Sequence, residues 1–201
     1  MSQRAALGFK LHTGWAALVA VSGRPGKIAL LLRRRIELLP ADGSIPRFVY
    51  HKASEMPLAQ AAELVMRATK ASAGAAKLAL DETLSELASR EIQVDVCGVL
   101  AGSRSAPDDL GAILRSHPLI HTAEGALFQD AIVSAGKSCN LAVVLARDRE
   151  VWASVAATLG VAESAMRKEV DGLRKALGPP WSADHKAATA IALLALKSKR
   201  A

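Results

Sequence analysis

Lys10 and His12 stand two residues apart in GFKLHTGWAALVAV, where two apolar runs meet at a tight turn. Further along come His51 in VYHKA, His121 and Glu124 in HTAEG, and Asp184-His185-Lys186 ahead of the last apolar run. Imidazole, carboxylate and ammonium groups can serve as general acid, general base and phosphate anchor without a metal. His12, Glu124, Asp184 and Lys186 are therefore the candidate catalytic residues. Lys10, Arg33, Arg35, Arg47, His51 and Lys52 are the candidate binding residues for an anionic partner. Each also has a plain structural explanation. Glu124 and Asp184 fall in what read as first turns of helices, where the dipole alone favours acids. His12 can satisfy a hairpin backbone, and His51 can pack against a long helix. An isolated buried ammonium is costly, so Lys10 needs an acid or a phosphate, and Glu124 or Asp184 is the expected partner.

Charge and composition narrow the classes. The chain carries a formal +7, and residues 1–56 hold nine Lys and Arg against three acids, so the excess is concentrated at the N-terminal end. That asymmetry predicts a positive face around Arg33, Arg35, Arg47 and Lys52, suited to phosphates or another acidic partner. Aromatic residues make up only 3% of the chain, which argues against base-stacking platforms for single strands. Cys97 and Cys139 lie in or beside apolar runs without paired-ligand spacing, so they read as reduced, buried thiols of a cytoplasmic protein. A cysteine-based zinc site is not expected, no residue is assigned as a metal ligand, and no cofactor is expected. No signal peptide is visible, and AATAIALLAL at 187–196 is too short to span a bilayer.

The elements that must position these side chains follow from periodicity. RAALGFKL and WAALVAVSG read as strands joined by HTG, with Gly14 supplying a positive φ. KIALLLRRRIEL gives a third strand, with Ile28, Leu30, Leu32 and Arg34 expected on one face. The Pro- and Gly-rich segment that follows contains a short extended RFVYH. Pro57 then opens a helix running from Leu58 to about Arg90, with a break expected around Ser72–Gly74, since an unbroken rod would reach roughly 50 Å. VDVCGVLAG and NLAVVLA read as strands buried on both faces. Between them lie a short helix in APDDLGAILRSH and a helix in TAEGALFQDAIVSAGKSC, with Thr122 as its N-cap. DREVWASVAATLG is a helix closed by Gly160, and two further helices flank the corner GPPW. Trp15 and Trp152 read as core anchors, and Trp181 as part of the corner.

Three antiparallel strands, a helix, a strand, helices, a strand and more helices make an α/β chain. That order resembles the ribonuclease H-like fold, and HTGWAALVAV is similar to the second-strand entry of RuvC-type resolvases through Thr13, Gly14 and Trp15. The resemblance implies a single domain over residues 1–201, with a core at about 5–160 and a helical extension at about 161–201. It also implies metal-binding carboxylates at the end of the first strand, at the end of the fourth and near the last helix. Lys10 stands where the first would be, VLAGS supplies none, and Asp184 lies in the matching region of the last helix. Two-metal hydrolysis needs several converging carboxylates around ions about 4 Å apart, so the pattern indicates an altered or lost metal site. By the same resemblance Lys10 and His12 border one pocket with Glu124 and residues 184–186. The expected function is nucleic-acid-associated, with DNA or RNA as partner. A protein-docking module on the same fold, and a metal-independent enzyme acting through His12, Glu124 and Lys186, are the alternatives.

Overall fold

The computed structural model describes residues 3–102 and 106–198. Strands β1 (Gln3–His12), β2 (Trp15–Ser22) and β3 (Ala29–Glu37) form an antiparallel meander. The first turn is Thr13-Gly14, with His12 paired to Trp15 and φ +80° at Gly14. Strands β4 (Ile92–Ala101) and β5 (Ala142–Arg147) join the same sheet in parallel, giving the order β3-β2-β1-β4-β5. Meander and parallel crossovers stand as the sequence predicts.

Alternation along β1 sends side chains into two separate cores. Leu7 and Phe9 pack with α2 (Leu58–Ser89) and α4 (His117–Ser138), against Leu80, Leu87, Phe128 and Ile132. Ala6 packs on the other face with α8 (Ala183–Ser198), α5 (Val151–Leu159) and α6 (Glu163–Gly172). Helix α8 lies directly on the sheet backbone. Gly8 and Gly98 are paired neighbours on β1 and β4, and a Cβ on Gly8 would sit 1.9 Å from the carbonyl oxygen of Ala188. A Cβ on Gly98 would sit 2.5 Å from that of Ile191. Only glycine admits a helix so near.

Five local expectations are corrected. Ile28 and Leu30 do share a face, but Leu32 and Arg34 lie on the other, because pairing jumps from Ala20–Leu32 to Val21–Leu30 and leaves a bulge at Leu31. Most of the segment read as extended is a short helix, α1 (Val49–Ala53), whose amides find an acceptor described below. Helix α2 runs unbroken for 32 residues, about 48 Å. Small buried residues Ala68, Ser72 and Ala76 line its core side, α4 packs alongside, and Gly74 faces solvent, so tertiary packing overrides the local weakness. Helix α4 begins at His117 with Ser116 as N-cap, and Thr122 is interior, its hydroxyl donating to the Pro118 carbonyl at 3.0 Å. Strand β5 is an edge strand and only half-buried, with Leu145 exposed.

Helix α3 (Leu110–Leu114) is capped by Asp109, and α7 (Arg174–Leu177) precedes the GPPW corner. Trp181 closes that corner by donating to the Val170 carbonyl at 3.0 Å. Both cysteines are free, and burial pushes the Cys97 thiol up to about 12, which leaves it inert. Among the described residues no helix is long and apolar enough to cross a membrane.

Candidate functional site

His12 ends β1 and Asp184 lies in the first turn of α8, and the α8 contact on Gly8 and Gly98 brings the two together. His12 Nε2 is 3.0 Å from Asp184 Oδ1, with side chains 33% and 29% exposed. The nitrogen nevertheless makes no well-aligned hydrogen bond, so the contact is an ion-pair separation rather than a directed bond. The His12 ring stacks on Trp15 with centroids 4.1 Å apart and planes at 8°. The Arg35 guanidinium lies 3.9 Å from the centroid of the same indole and also pairs with Glu37. An imidazole, an indole and a guanidinium thus brace one another at the hairpin end.

The other candidate catalytic groups lie apart from this pair. Lys10 is bound neither to Glu124 nor to Asp184; its ammonium meets Asp148 at 2.7 Å. Lys186 pairs with Asp171 at 2.9 Å. His185 turns its Nδ1 toward Ser182 at 3.0 Å and stacks on Trp181. Burial, with the Arg33 charge adding to it and Asp184 opposing, holds the His185 pKa below the ordinary histidine value.

Glu124 has a defined task of its own. It is buried in the interior of α4 and accepts from the amides of Val49 at 2.7 Å, Tyr50 at 3.0 Å and His51 at 3.4 Å. These are the free N–H groups at the positive end of α1, so the carboxylate caps a helix from a distant part of the chain. His51 Nδ1 completes the set at 3.0 Å. Burial and the negative charges of Glu124 and Asp130 raise the pKa of Tyr50 beside it.

The residues expected to form a positive face are all engaged locally. Arg33 donates to the carbonyls of Gly178 at 2.7 Å, Pro179 at 2.8 Å and Pro180 at 2.5 Å, tying β3 to the corner before α8. Arg47 donates to the Thr13 carbonyl at 2.9 Å, bracing the first hairpin. Lys52 pairs with Glu55 within one helical turn.

A different basic surface lies at the C-terminal ends of the parallel strands. Lys10, Leu100, Gly102, His121, Gln129, Arg147, Asp148 and Arg149 line a groove there. Arg147 and Arg149 both reach Glu150, at 3.3 and 3.2 Å, as exposed pairs that hold the Glu150 pKa down. The charges of Arg147, Asp148 and Arg149 are plain in RDRE, but nothing local shows that β5 lays them beside Lys10. His117 also escaped the sequence reading, although its spacing of four from His121 puts both on one helix face.

No family model matches the sequence, and no curated protein matches it. Solved structures do. A structure of Thermus thermophilus RuvC aligns with TM-score 0.55 and 14% identity, covering 98% of this chain and 95% of its own. Thermus thermophilus RuvC in complex with a Holliday junction substrate aligns with TM-score 0.56 and 15% identity over the same shares. The fold is the ribonuclease H-like fold of RuvC. It carries helices beyond the sheet at its C-terminal end, as expected.

The residues at the strand ends do not fit a pair of divalent ions of the kind that a RuvC-type resemblance implies. Lys10 puts an ammonium at the end of β1, and Leu100 and Gly102 line the groove at the end of β4. Asp148, the carboxylate lining the groove, is already neutralised by Lys10. Two arginines add positive charge that the one carboxylate they share, Glu150, only half offsets. A donor set of that sign repels divalent ions rather than gathering them.

Proposed function

We propose that this chain binds nucleic acid through the groove formed by Lys10, Arg147 and Arg149, and that it does so without two-metal phosphodiester cleavage. The carrying observation is the convergence of these three cations at the carboxyl ends of β1 and β5. Open α/β sheets bind ligands outside the carboxyl ends of their strands, where neighbouring connections diverge. Here β2 and β3 lie on one side of β1, and β4 and β5 on the other. The RuvC likeness supports the same partner class, since one similar structure is a complex with a branched DNA. Lys10 is held by an acid that a phosphate oxygen can displace, and an exposed arginine pair with Glu150 is weak enough to exchange.

Fluorescence anisotropy with a labelled four-way junction and a linear duplex of equal length tests this reading. Binding is expected to weaken with salt, and three phosphate contacts give a log–log slope of about −2.7. The triple variant Lys10→Ala, Arg147→Ala, Arg149→Ala should lose most of that slope while keeping its circular dichroism spectrum. No binding of either DNA at about 50 mM salt, a permissive condition, overturns the proposal and points to a protein-docking role.

A further inference from the structure

We propose that His51, His117 and His121 form a binding site for one divalent transition-metal ion of the zinc class, with Glu124 as its outer support. One ligand nitrogen from each ring lies within 4.8 Å of those of the other two. Ring centroids are 4.4 Å apart for His117–His121, 4.7 Å for His51–His121 and 5.9 Å for His51–His117. His117 and His121 stand four apart in the first turns of α4, so one helix face presents both. His51 comes from α1, a separate element that the Glu124 carboxylate fastens to α4.

The chemistry of the set selects the ion. Three imidazoles with no carboxylate or thiolate among them suit zinc, copper or nickel, and suit magnesium or calcium poorly. A tetrahedral zinc would draw the three nitrogens to about 3.3 Å from one another. Rotation of two exposed side chains, His117 and His121, supplies that closure. His51 is the fixed member: Glu124 engages its Nδ1 at 3.0 Å, which leaves Nε2 for an ion. A carboxylate behind a ligating histidine sets the ring's tautomer and orientation and raises its basicity. Three protein ligands leave a fourth position for water or a ligand atom, and His121 also lines the groove beside Lys10. The site does not depend on nucleic-acid binding and can be tested without it.

The experiment uses the full chain without a histidine tag, titrated with zinc chloride against a chromophoric chelator and separately with cobalt chloride. One equivalent of zinc should bind per chain, and cobalt should give the visible d–d bands of a tetrahedral site. The exposed double variant His117→Ala, His121→Ala should fold normally and lose both signals. Glu124→Gln should weaken zinc binding by about tenfold to a hundredfold. Zinc should also slow hydrogen exchange at the amides of residues 49–53 in the native chain and not in the double variant. No bound zinc after titration, or undiminished binding by the double variant, overturns the proposal.

Discussion

The two faces of the sheet each hold a carboxylate–imidazole pair at 3.0 Å, and the two pairs are built in opposite ways. Asp184 reaches His12 because a whole helix is pressed onto the backbone of β1 and β4 through Gly8 and Gly98. The pair itself is about one-third exposed and poorly aligned. Glu124 is buried among α1 and α4 with three amides and an imidazole pointed at it. In the first pair the scaffold fixes the side chains; in the second the side chain fixes the scaffold. Equal distances therefore carry unequal free energies.

The strongest test of that contrast is Gly8→Ala. The added methyl meets the Ala188 carbonyl, a backbone atom that no rotamer change can move aside. A loss of about 3 kcal/mol is expected in urea unfolding, together with displacement of α8 and loss of the His12–Asp184 contact. The Glu124 cluster on the other face should stay intact, as read from the amide shifts of residues 49–51. If both faces respond equally, the two pairs are not separately built.

Next in size is the comparison of Glu124→Ala with Asp184→Ala. Removing Glu124 strands the first amides of α1, and a cost of about 2 to 3 kcal/mol is expected. Removing Asp184 breaks a partly exposed pair, worth less than about 1 kcal/mol. Chemical denaturation of both variants at one pH gives the two numbers, and similar costs would show that the two pairs are equally structural.

The smallest expected effect is a pH dependence confined to the α8 face. His185 has its pKa lowered in the folded state, chiefly by burial, so the unfolded chain binds the proton more readily. Stability should therefore be complete above the ordinary histidine value of 6.5 and fall as pH drops through it. Thermal melts between pH 5 and pH 7 should show a shallower acid decline in His185→Gln than in the native chain. An unchanged decline would assign it to other groups.

Much of the fold was legible because it rests on local signals. The Thr13-Gly14 turn, the apolar runs of β1 and β2 and the Gly160 stop each act within a few residues. The break in α2, expected from the length of an unbroken rod, does not occur, because packing along α4 keeps the helix continuous past Ser72 and Gly74. Thr122 is not the cap because the helix starts five residues earlier, at His117, and admits Pro118 in its first turn. Of the candidate site, His12 and Asp184 do meet, while Lys10 and Glu124 pair with elements far away in sequence and Lys186 pairs with Asp171 on nearby α6. No pattern in Lys10 points to Asp148, 138 residues on. Pairing at that range is set by strand order, which residue spacing does not encode.

The bulge at Leu31 bears on how molecules of this protein behave toward one another. Strand β3 is an edge, and an edge with regular free amides and carbonyls invites a strand from another molecule. At Leu31 the regular spacing fails, and the Leu31 carbonyl is already taken by Arg90 at 3.1 Å. Three consecutive arginines follow, and charged residues along an edge strand disfavour its pairing with another chain. The bulge and the occupied Leu31 carbonyl thus interrupt the regular ladder that a strand from another molecule would need at this edge.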